Sequence, residues 1–334
     1  MLKSLQKAFK VKEVRDRLLY TFMMLVVIRI GCCLPIPGVD PSYLHDFFSN
    51  LQNSGMGFFN AITGGSFSSM SIFALSITPY ITSSIIMQLL TIAIPKLEEM
   101  QKDGEDGRKK IAEYTRYLTV GLALFESCAM AVGLGGKGLL LEDHRNIWGY
   151  LTVVAAMTAG SALLMWIGER ITDNGVGNGI SIVLLINIVS GTPQDMMTLY
   201  ERFMAGRSVA VATVSGIIVL AIIVAIVVFV LVLNDAERRI PVQYSKKMQG
   251  RRMIGGQSTY IPLKVNTANV IPVIFASSIM SMPVMIAQFF HVDYSTIGGK
   301  ILLALSSSNW FKPEAPAYSI GMLVYIVLVV LFAY

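Results

Sequence analysis

Among the residues able to do chemistry, the most suggestive spacing is Asp173-Asn174-Gly175-Val176-Gly177-Asn178-Gly179, a glycine run of the kind that cradles phosphate. No strand-like stretch precedes it and no Gly-Lys-Ser/Thr follows, so it reads instead as a tight turn between closely packed helices. His45, His144 and His291 each stand alone, without metal-ligand spacing. Cys32, Cys33 and Cys128 all fall in apolar runs, and adjacent cysteines bridge each other only under strain, so they read as small apolar fillers. There is no nucleophile elbow and no His-Glu-x-x-His, so neither an enzyme nor a cofactor is expected. What remains is branched aliphatic: Ile77 and Ile81 at i and i+4, Ile180 and Leu184 at the same spacing, and Ile274. On spacing alone they read as plain packing residues.

The elements that would have to carry these side chains are membrane spans. Hydrophobic residues make up 54% of the chain and charged ones 14%, with a mean hydropathy of +0.61, well off the balance of a soluble globular domain. Eight runs are long enough, or nearly so, to cross about 30 Å of hydrocarbon. They are Leu18 to Leu34, Ile72 to Ile94, Tyr117 to Leu134, Ile147 to Ile167, Gly177 to Gly191, Val209 to Leu233, Val270 to Phe290 and Tyr318 to Tyr334. Six Lys and Arg precede the first run, and the successive gaps hold none, six, two, one, two, seven and two. The N-terminal flank and every second gap after it thus hold twenty, against six in the others, which puts the N-terminus and the 2/3, 4/5 and 6/7 loops in the cytoplasm. The formal charge of +6 is topological rather than the mark of a basic nucleic-acid-binding domain. The first run ends in Leu34-Pro35-Ile36-Pro37-Gly38 without a small-residue cleavage site and reads as a retained helix. Arg29, inside that run, is close enough to its outer end to snorkel, and Glu126 either faces the interior or finds an amide partner.

Three segments break the helical pattern. Ser54 to Ser71 has no Lys or Arg but is too rich in Gly and Ser, and too short, to span. It reads as a short helix re-entering from the outer face and hinged at Gly64-Gly65, with an ordinary external loop as the alternative. The fifth run is short and is followed by Gly191-Thr192-Pro193. Finally, Pro79-Tyr80-Ile81-Thr82-Ser83-Ser84-Ile85 and Pro272-Val273-Ile274-Phe275-Ala276-Ser277-Ser278-Ile279 share a Pro, an Ile two residues on, and a later Ser-Ser-Ile. They lie five runs apart, and an odd number of spans per repeat inverts the second copy, an architecture of transport proteins.

Five stretches, in order along the whole chain, resemble the bacterial SecY family: Pro35-Ile36-Pro37-Gly38, Ser71-Ile72-Phe73-Ala74-Leu75, Gly104-Glu105-Asp106-Gly107-Arg108-Lys109-Lys110-Ile111, Gly177-Asn178-Gly179-Ile180-Ser181, and Gln257-Ser258-Thr259-Tyr260-Ile261-Pro262-Leu263-Lys264-Val265-Asn266. The resemblance implies an all-α polytopic membrane protein built as an inverted repeat of two five-helix halves, with a re-entrant plug helix. Helices 1 to 8 are expected here, with helices nine and ten beyond Tyr334. The implied divisions are a cytoplasmic amphipathic segment 1–17, an N-terminal half 18–191 with the plug at about 54–71, an external hinge loop 192–208, and a partial C-terminal half 209–334 with the 6/7 loop at 234–266.

The same resemblance implies roles. Ile77, Ile81, Ile180, Leu184 and Ile274 line up with the family's pore ring, Leu184 standing where isoleucine is usual. Met56, Phe58, Phe59, Asn60, Ile62, Gly64, Gly65 and Phe67 align with the plug. Thr82, Gln88, Ser278 and Met282 are candidates along a lateral gate. Arg238, Arg239, Lys246, Lys247, Arg251 and Arg252 would meet the ribosome, through its RNA, or the motor ATPase, although an ordinary solvated loop obeying the positive-inside bias is the alternative. Implied partners are SecE-type and SecG-type subunits, the SecA motor, secretory and membrane-protein nascent chains with signal sequences, and membrane lipids. The implied location is the bacterial plasma (inner) membrane. A secondary transporter shares the inverted repeat and broken helices, but it needs a polar or charged midplane site, and Ile, Leu, Thr and Ser occupy the central positions here.

Overall fold

All eight apolar runs fall on helices. The computed structural model describes residues 9–40, 63–242, 247–249, 252–254, 259–268, 271–289, 296–306, 310 and 316–333. Its helices are α1 (Lys12–Cys33), α2 (Thr78–Ala93), α3 (Pro95–Lys102), α4 (Glu105–Leu134), α5 (Ile147–Asn174), α6 (Gly179–Phe203), α7 (Val209–Asp235), α8 (Ile271–Phe289), α9 (Ile297–Leu305) and α10 (Ile320–Ala333). By length and composition α5, α6 and α7 can each cross a bilayer, as can α2 taken with α3, while α8 and α10 are shorter apolar helices.

Several helix ends differ from the hydropathy boundaries, and the reasons are local. The second run begins at Ile72, but residues 72–77 are turns and α2 starts only at Thr78, with Pro79 in its first turn. Ser76 sits at φ +52°, which no helix tolerates, and proline is well placed just inside a helix start. At the far end Ile94 is extended, as a residue before proline prefers, and α3 leaves at 101° to α2. The fifth run was expected to stop at Gly191 with a loop over 192–208, yet α6 continues through Pro193 to Phe203. Proline there removes only the bond to Val189, and the polar turns after it remain helical. Sequence reading also missed α9.

The chain divides into two units, Met1–Pro193 with Phe275–Leu328, and Gln194–Ile274 with Val329–Tyr334. In the first, α5 is the spine. A Cβ at Gly160 would collide with the carbonyl oxygen of Ile72, and one at Gly179 with that of Gly168, so the helices and turns around α5 meet backbone to backbone. Hydrogen bonds join α4 to its neighbours: Ser83 Oγ on α2 with Thr119 Oγ1 at 2.7 Å, and toward α5 Ser127 Oγ with Thr158 Oγ1 at 2.9 Å and Arg116 Nε donating to Glu169 Oε1 at 2.7 Å. That last bond pushes Arg116 above its usual pKa. Small residues and interhelical hydrogen bonds are what hold helices together where lipid removes the usual gain from apolar burial.

The irregular backbone of this unit forms a ladder of its own. Ile36 N–H donates to Met70 O at 3.0 Å and Ile72 N–H to Leu34 O at 3.0 Å. On the strap's other edge Asp40 N–H donates to Leu139 O at 2.9 Å and Leu141 N–H to Gly38 O at 3.1 Å. The strap 34–40 thus lies between the turn 70–72 and the segment 139–141. Ile36, Phe67, Met70, Leu75, Met130, Leu139 and Met157 close over it as a buried core.

In the second unit α7 is apolar all round, and none of its span is buried, the mark of a helix whose neighbour is lipid. It is tied to the end of α6 by Ser215 Oγ, which donates to Phe203 O at 3.1 Å. The segment after α7, expected as a long cytoplasmic loop in an all-α chain, carries β1 (Glu237–Val242), β2 (Lys247–Gln249), β3 (Arg252–Ile254) and β4 (Thr259–Lys264). β1 pairs antiparallel with β4, and β2 with β3.

The close approach at α5 is testable. Gly160→Val is expected to destabilise the folded protein by about 1–3 kcal/mol, read as thermal unfolding in detergent. Gly121→Ala, whose Cβ would meet nothing within 4 Å, is expected to leave stability unchanged or slightly raised. Equal stability of the Gly160 variant and the parent would contradict the contact.

Candidate functional site

The isoleucines that could form a hydrophobic constriction begin where α2 begins. Ile77 caps the helix and is fully buried, and Ile81, one turn on, is 9% exposed. On α6 Leu184 is half-buried, and so is Ile180, whose Cδ1 lies 2.7 Å from where a Cβ on Gly168 would stand. The tip of Ile180 therefore packs on α5. Ile274, half-buried near the start of α8, belongs to the second unit. Pro79 and Pro272 each occupy the second position of their helix, so the related texts found in the sequence start α2 and α8 alike.

The start of α6 explains the glycine run. Asn178 Oδ1 accepts from the N–H groups of Ile180 at 3.0 Å and Ser181 at 3.3 Å, and Gly179 N–H donates to Thr172 Oγ1 at 2.9 Å. The donors a phosphate would need are taken by the chain itself. Gly177 turns at φ +72°, and Gly179 lets α6 touch α5. The expected tight turn with close helix packing is what forms.

Met56, Phe58, Phe59, Asn60 and Ile62 lie outside the described residues, and the segment is described from Thr63 on. Gly64 and Gly65 adopt φ +65° and +80°, and Phe67 is fully buried in the core. Gly64 lies against α6: a Cβ there would come within 2.8 Å of Asn187 O and 2.9 Å of Ser190 Oγ. From the same side Asn187 Nδ2 donates to Ser76 Oγ at 2.9 Å, while Ser161 Oγ donates to Ser76 O at 3.2 Å. Arg29 is part of this network and does not simply snorkel. Its Nη1 donates to Ser190 Oγ at 2.9 Å, which in turn donates to Asn187 O at 2.6 Å. Sequence reading passed over Asn187, Ser190 and Ser76. The available signal was an amide in the middle of an apolar run, where polar groups are costly and seldom idle. Glu126 is turned inward, 4% exposed.

Of the gate candidates, Thr82 is half-buried and its Oγ1 donates back to Thr78 O at 3.1 Å, while Gln88 is exposed. Six residues apart on a helix, the two sit about 120° from each other and do not share a stripe. Ser278 and Met282, four apart on α8, share a face and are both half-buried.

Of the basic candidates, Arg238 and Arg239 lie on β1, Lys247 on β2 and Arg252 on β3. Arg238 and Arg239 are exposed on β1, opposite Leu263 and Pro262, and Glu237 stands across from Lys264. The Arg239 guanidinium lies 4.7 Å from the centroid of the Tyr260 ring. Lys247 pairs with Ile254 and Arg252 with Gln249 through their backbones. Lys246 and Arg251 lie outside the described residues.

Comparison with known proteins identifies the family and the fold. A protein translocase subunit SecY of Streptomyces scabiei is 43% identical over 100% of this chain and 76% of its own length. A solved protein-conducting channel superposes with a TM-score of 0.59 at 19% identity, covering 95% of this chain and 71% of that one. Sec61 from the canine ribosome–channel complex of the endoplasmic reticulum superposes with a TM-score of 0.57 at 20% identity, covering 95% and 71%. The fold is therefore that of the protein-conducting channels. The SecY family model matches residues 71–334, and the chain belongs to the SecY family.

Proposed function

We propose that the chain is the pore-forming subunit of a Sec-type translocon, a channel component rather than an enzyme, passing unfolded secretory proteins across a membrane and releasing transmembrane segments sideways into lipid. The observation that carries this is the 43% identity, over the whole chain, to a protein translocase subunit. The side chains suit the task. A constriction built on Ile77, Ile81, Leu184 and Ile274 offers no hydrogen bonds to water and no charge to an ion, so an idle pore dewets, while an extended polypeptide can push the branched tips aside. Ile180, packed on α5, supports that wall from behind. Sideways release needs no catalyst. Leu gains about 0.3–0.6 kcal/mol per residue at the membrane centre while a charge costs roughly 2.5–3.5, so a segment that samples both solvents through a seam sorts itself. Thr82, Gln88, Ser278 and Met282 are the proposed seam residues.

The plug is proposed to extend from the described turn at Gly64, Gly65 and Phe67 back through Met56, Phe58, Phe59, Asn60 and Ile62. The proposed home is the bacterial plasma membrane with the N-terminus cytoplasmic, following the basic flanks. The β-ribbon would face the ribosome, a reading favoured by the likeness to Sec61 of a ribosome–channel complex. Arg238, Arg239 and Lys247 with Lys246, Arg251 and Arg252 supply the charge that RNA phosphate or an acidic motor surface would need. SecE-type and SecG-type subunits and the SecA motor complete the proposed assembly.

Photocrosslinking from Ile81 and Ile274, in the full-length natural chain, to a secretory polypeptide arrested midway tests the pore. Crosslinks from both positions, lost when the signal sequence is disabled, are expected. With the protein inserted and folded, silence at both would return the transporter reading to the front. For the ribbon, Arg238→Ala is expected to weaken ribosome binding and to make its log–log salt dependence shallower by about one. Arg239→Ala is expected also to loosen the ribbon, by about 0.5–1 kcal/mol for the exposed stack on Tyr260, read as faster proteolysis between residues 237 and 264. Salt dependence unchanged in both variants would remove the ribbon from the interface.

A further inference from the structure

The contacts around Asn187 join pieces that the channel reading treats separately. Ser76 immediately precedes Ile77, and Asn187 follows Leu184 by three residues on α6, so the bond from Asn187 Nδ2 to Ser76 Oγ at 2.9 Å links two members of the constriction. Ser76 holds φ +52°, a conformation that L side chains rarely adopt and that persists only when its surroundings enforce it. Three bonds hold it: its own N–H donates to Phe73 O at 2.8 Å, Asn187 Nδ2 donates to its Oγ, and Ser161 Oγ donates to its O at 3.2 Å. Gly64, at the base of the plug, rests on the backbone of Asn187 and on Ser190, where only a residue without Cβ fits. Arg29 closes the network by bonding Ser190 at 2.9 Å. Asn187, Ser76 and Ser161 are each 1% exposed, so no water competes for these bonds.

We infer that Asn187 is a positioning residue that, through Ser76, keeps the Thr63–Ile77 turn seated against α6 and so keeps the idle pore tight to ions. The inference rests on the channel reading above. The hydrogen bond fixes the start of α2, and with it Ile77, relative to Leu184, while the Asn187 backbone forms the floor under Gly64. Losing the bond leaves Ser76 strained and frees the turn to lift, with the constriction widening along one side. A contact that served stability alone would lower the unfolding temperature without changing the leak.

The test uses the full-length natural chain, assembled with its partner subunits in lipid vesicles, reading idle ion conductance and the translocation of a secretory protein with an intact signal. Asn187→Ala and Ser76→Gly are each expected to raise idle conductance about threefold to tenfold, the effect of one interhelical hydrogen bond, with translocation retained. The double variant is expected to be no leakier than either single one. Ser76→Gly removes the left-handed strain along with the hydroxyl, so it folds and decides the question even where Asn187→Ala does not. Exchanging the pair, Asn187→Ser with Ser76→Asn, is expected to restore tightness, because asparagine accepts positive φ. A translocating parent whose Ser76→Gly variant is equally tight, or a double variant whose leak multiplies those of the singles, overturns the inference. A parent that carries no secretory protein overturns the channel reading and this inference with it.

Discussion

Backbone polar groups have no water to turn to in hydrocarbon, and that constraint governs how this protein can depart from helix. Its first unit departs from α-helix at length, over 34–40, 63–77 and 135–141. Each segment is satisfied by another: the strap 34–40 donates to and accepts from 70–72 on one edge and 139–141 on the other. The Pro-Ile-Pro-Gly text suits this role. Proline, having no N–H, leaves no donor to satisfy, while Gly38 turns at φ +83° so that its carbonyl meets Leu141. The core of Ile36, Phe67 and Leu139 then closes over a backbone whose hydrogen bonds are already made.

Because lipid is as apolar as leucine, the helices of such a protein cannot be held by burial alone. Close approach and side-chain hydrogen bonds do the holding. Gly160 and Gly168 on α5 bring the turn at Ile72 and the start of α6 to backbone contact, and hydroxyl pairs such as Ser83 with Thr119 lock the neighbouring helices in rotation. The same economy produces the network of Arg29, Ser190, Asn187 and Ser76, where a cation at membrane depth is met by the Ser190 hydroxyl.

Hydropathy and charge alternation made the helices legible, since both follow from the solvent and not from the fold. The ends of the helices were less legible. Nothing in the composition of 72–77 announces that Ser76 takes a left-handed conformation, and two of the groups that bond it there, on Asn187 and Ser161, come from distant parts of the chain. The extension of α6 past Pro193 was hidden by a dipeptide that usually signals a stop. The ribbon at 237–264 was legible in principle: Arg239-Ile240-Pro241-Val242 and Thr259-Tyr260-Ile261-Pro262-Leu263 approximate the two-residue alternation of strands, but the density of charge drew the eye to electrostatics. At the candidate site, the helical spacing of the aliphatic pairs was legible, and it puts Ile77 and Ile81 at the start of α2 and Ile180 and Leu184 on α6. That the tip of Ile180 packs on α5 was not legible, because it depends on Gly168, some dozen residues earlier on another helix.

The bend after Ile94 has a mechanical consequence. Leaving α2 at 101°, α3 folds back onto the start of α4 so closely that a Cβ at Gly107 would collide with the carbonyl oxygen of Met100. With Ser83 pinned to Thr119 further along, α2, α3 and α4 form a braced elbow, fastened at both the corner and the forearm. A braced elbow has no internal freedom to spread. Any sideways parting of this unit must swing α2 and α4 together as a single leaf, with its pivot elsewhere, and a push delivered to α3 arrives as rotation of the whole leaf.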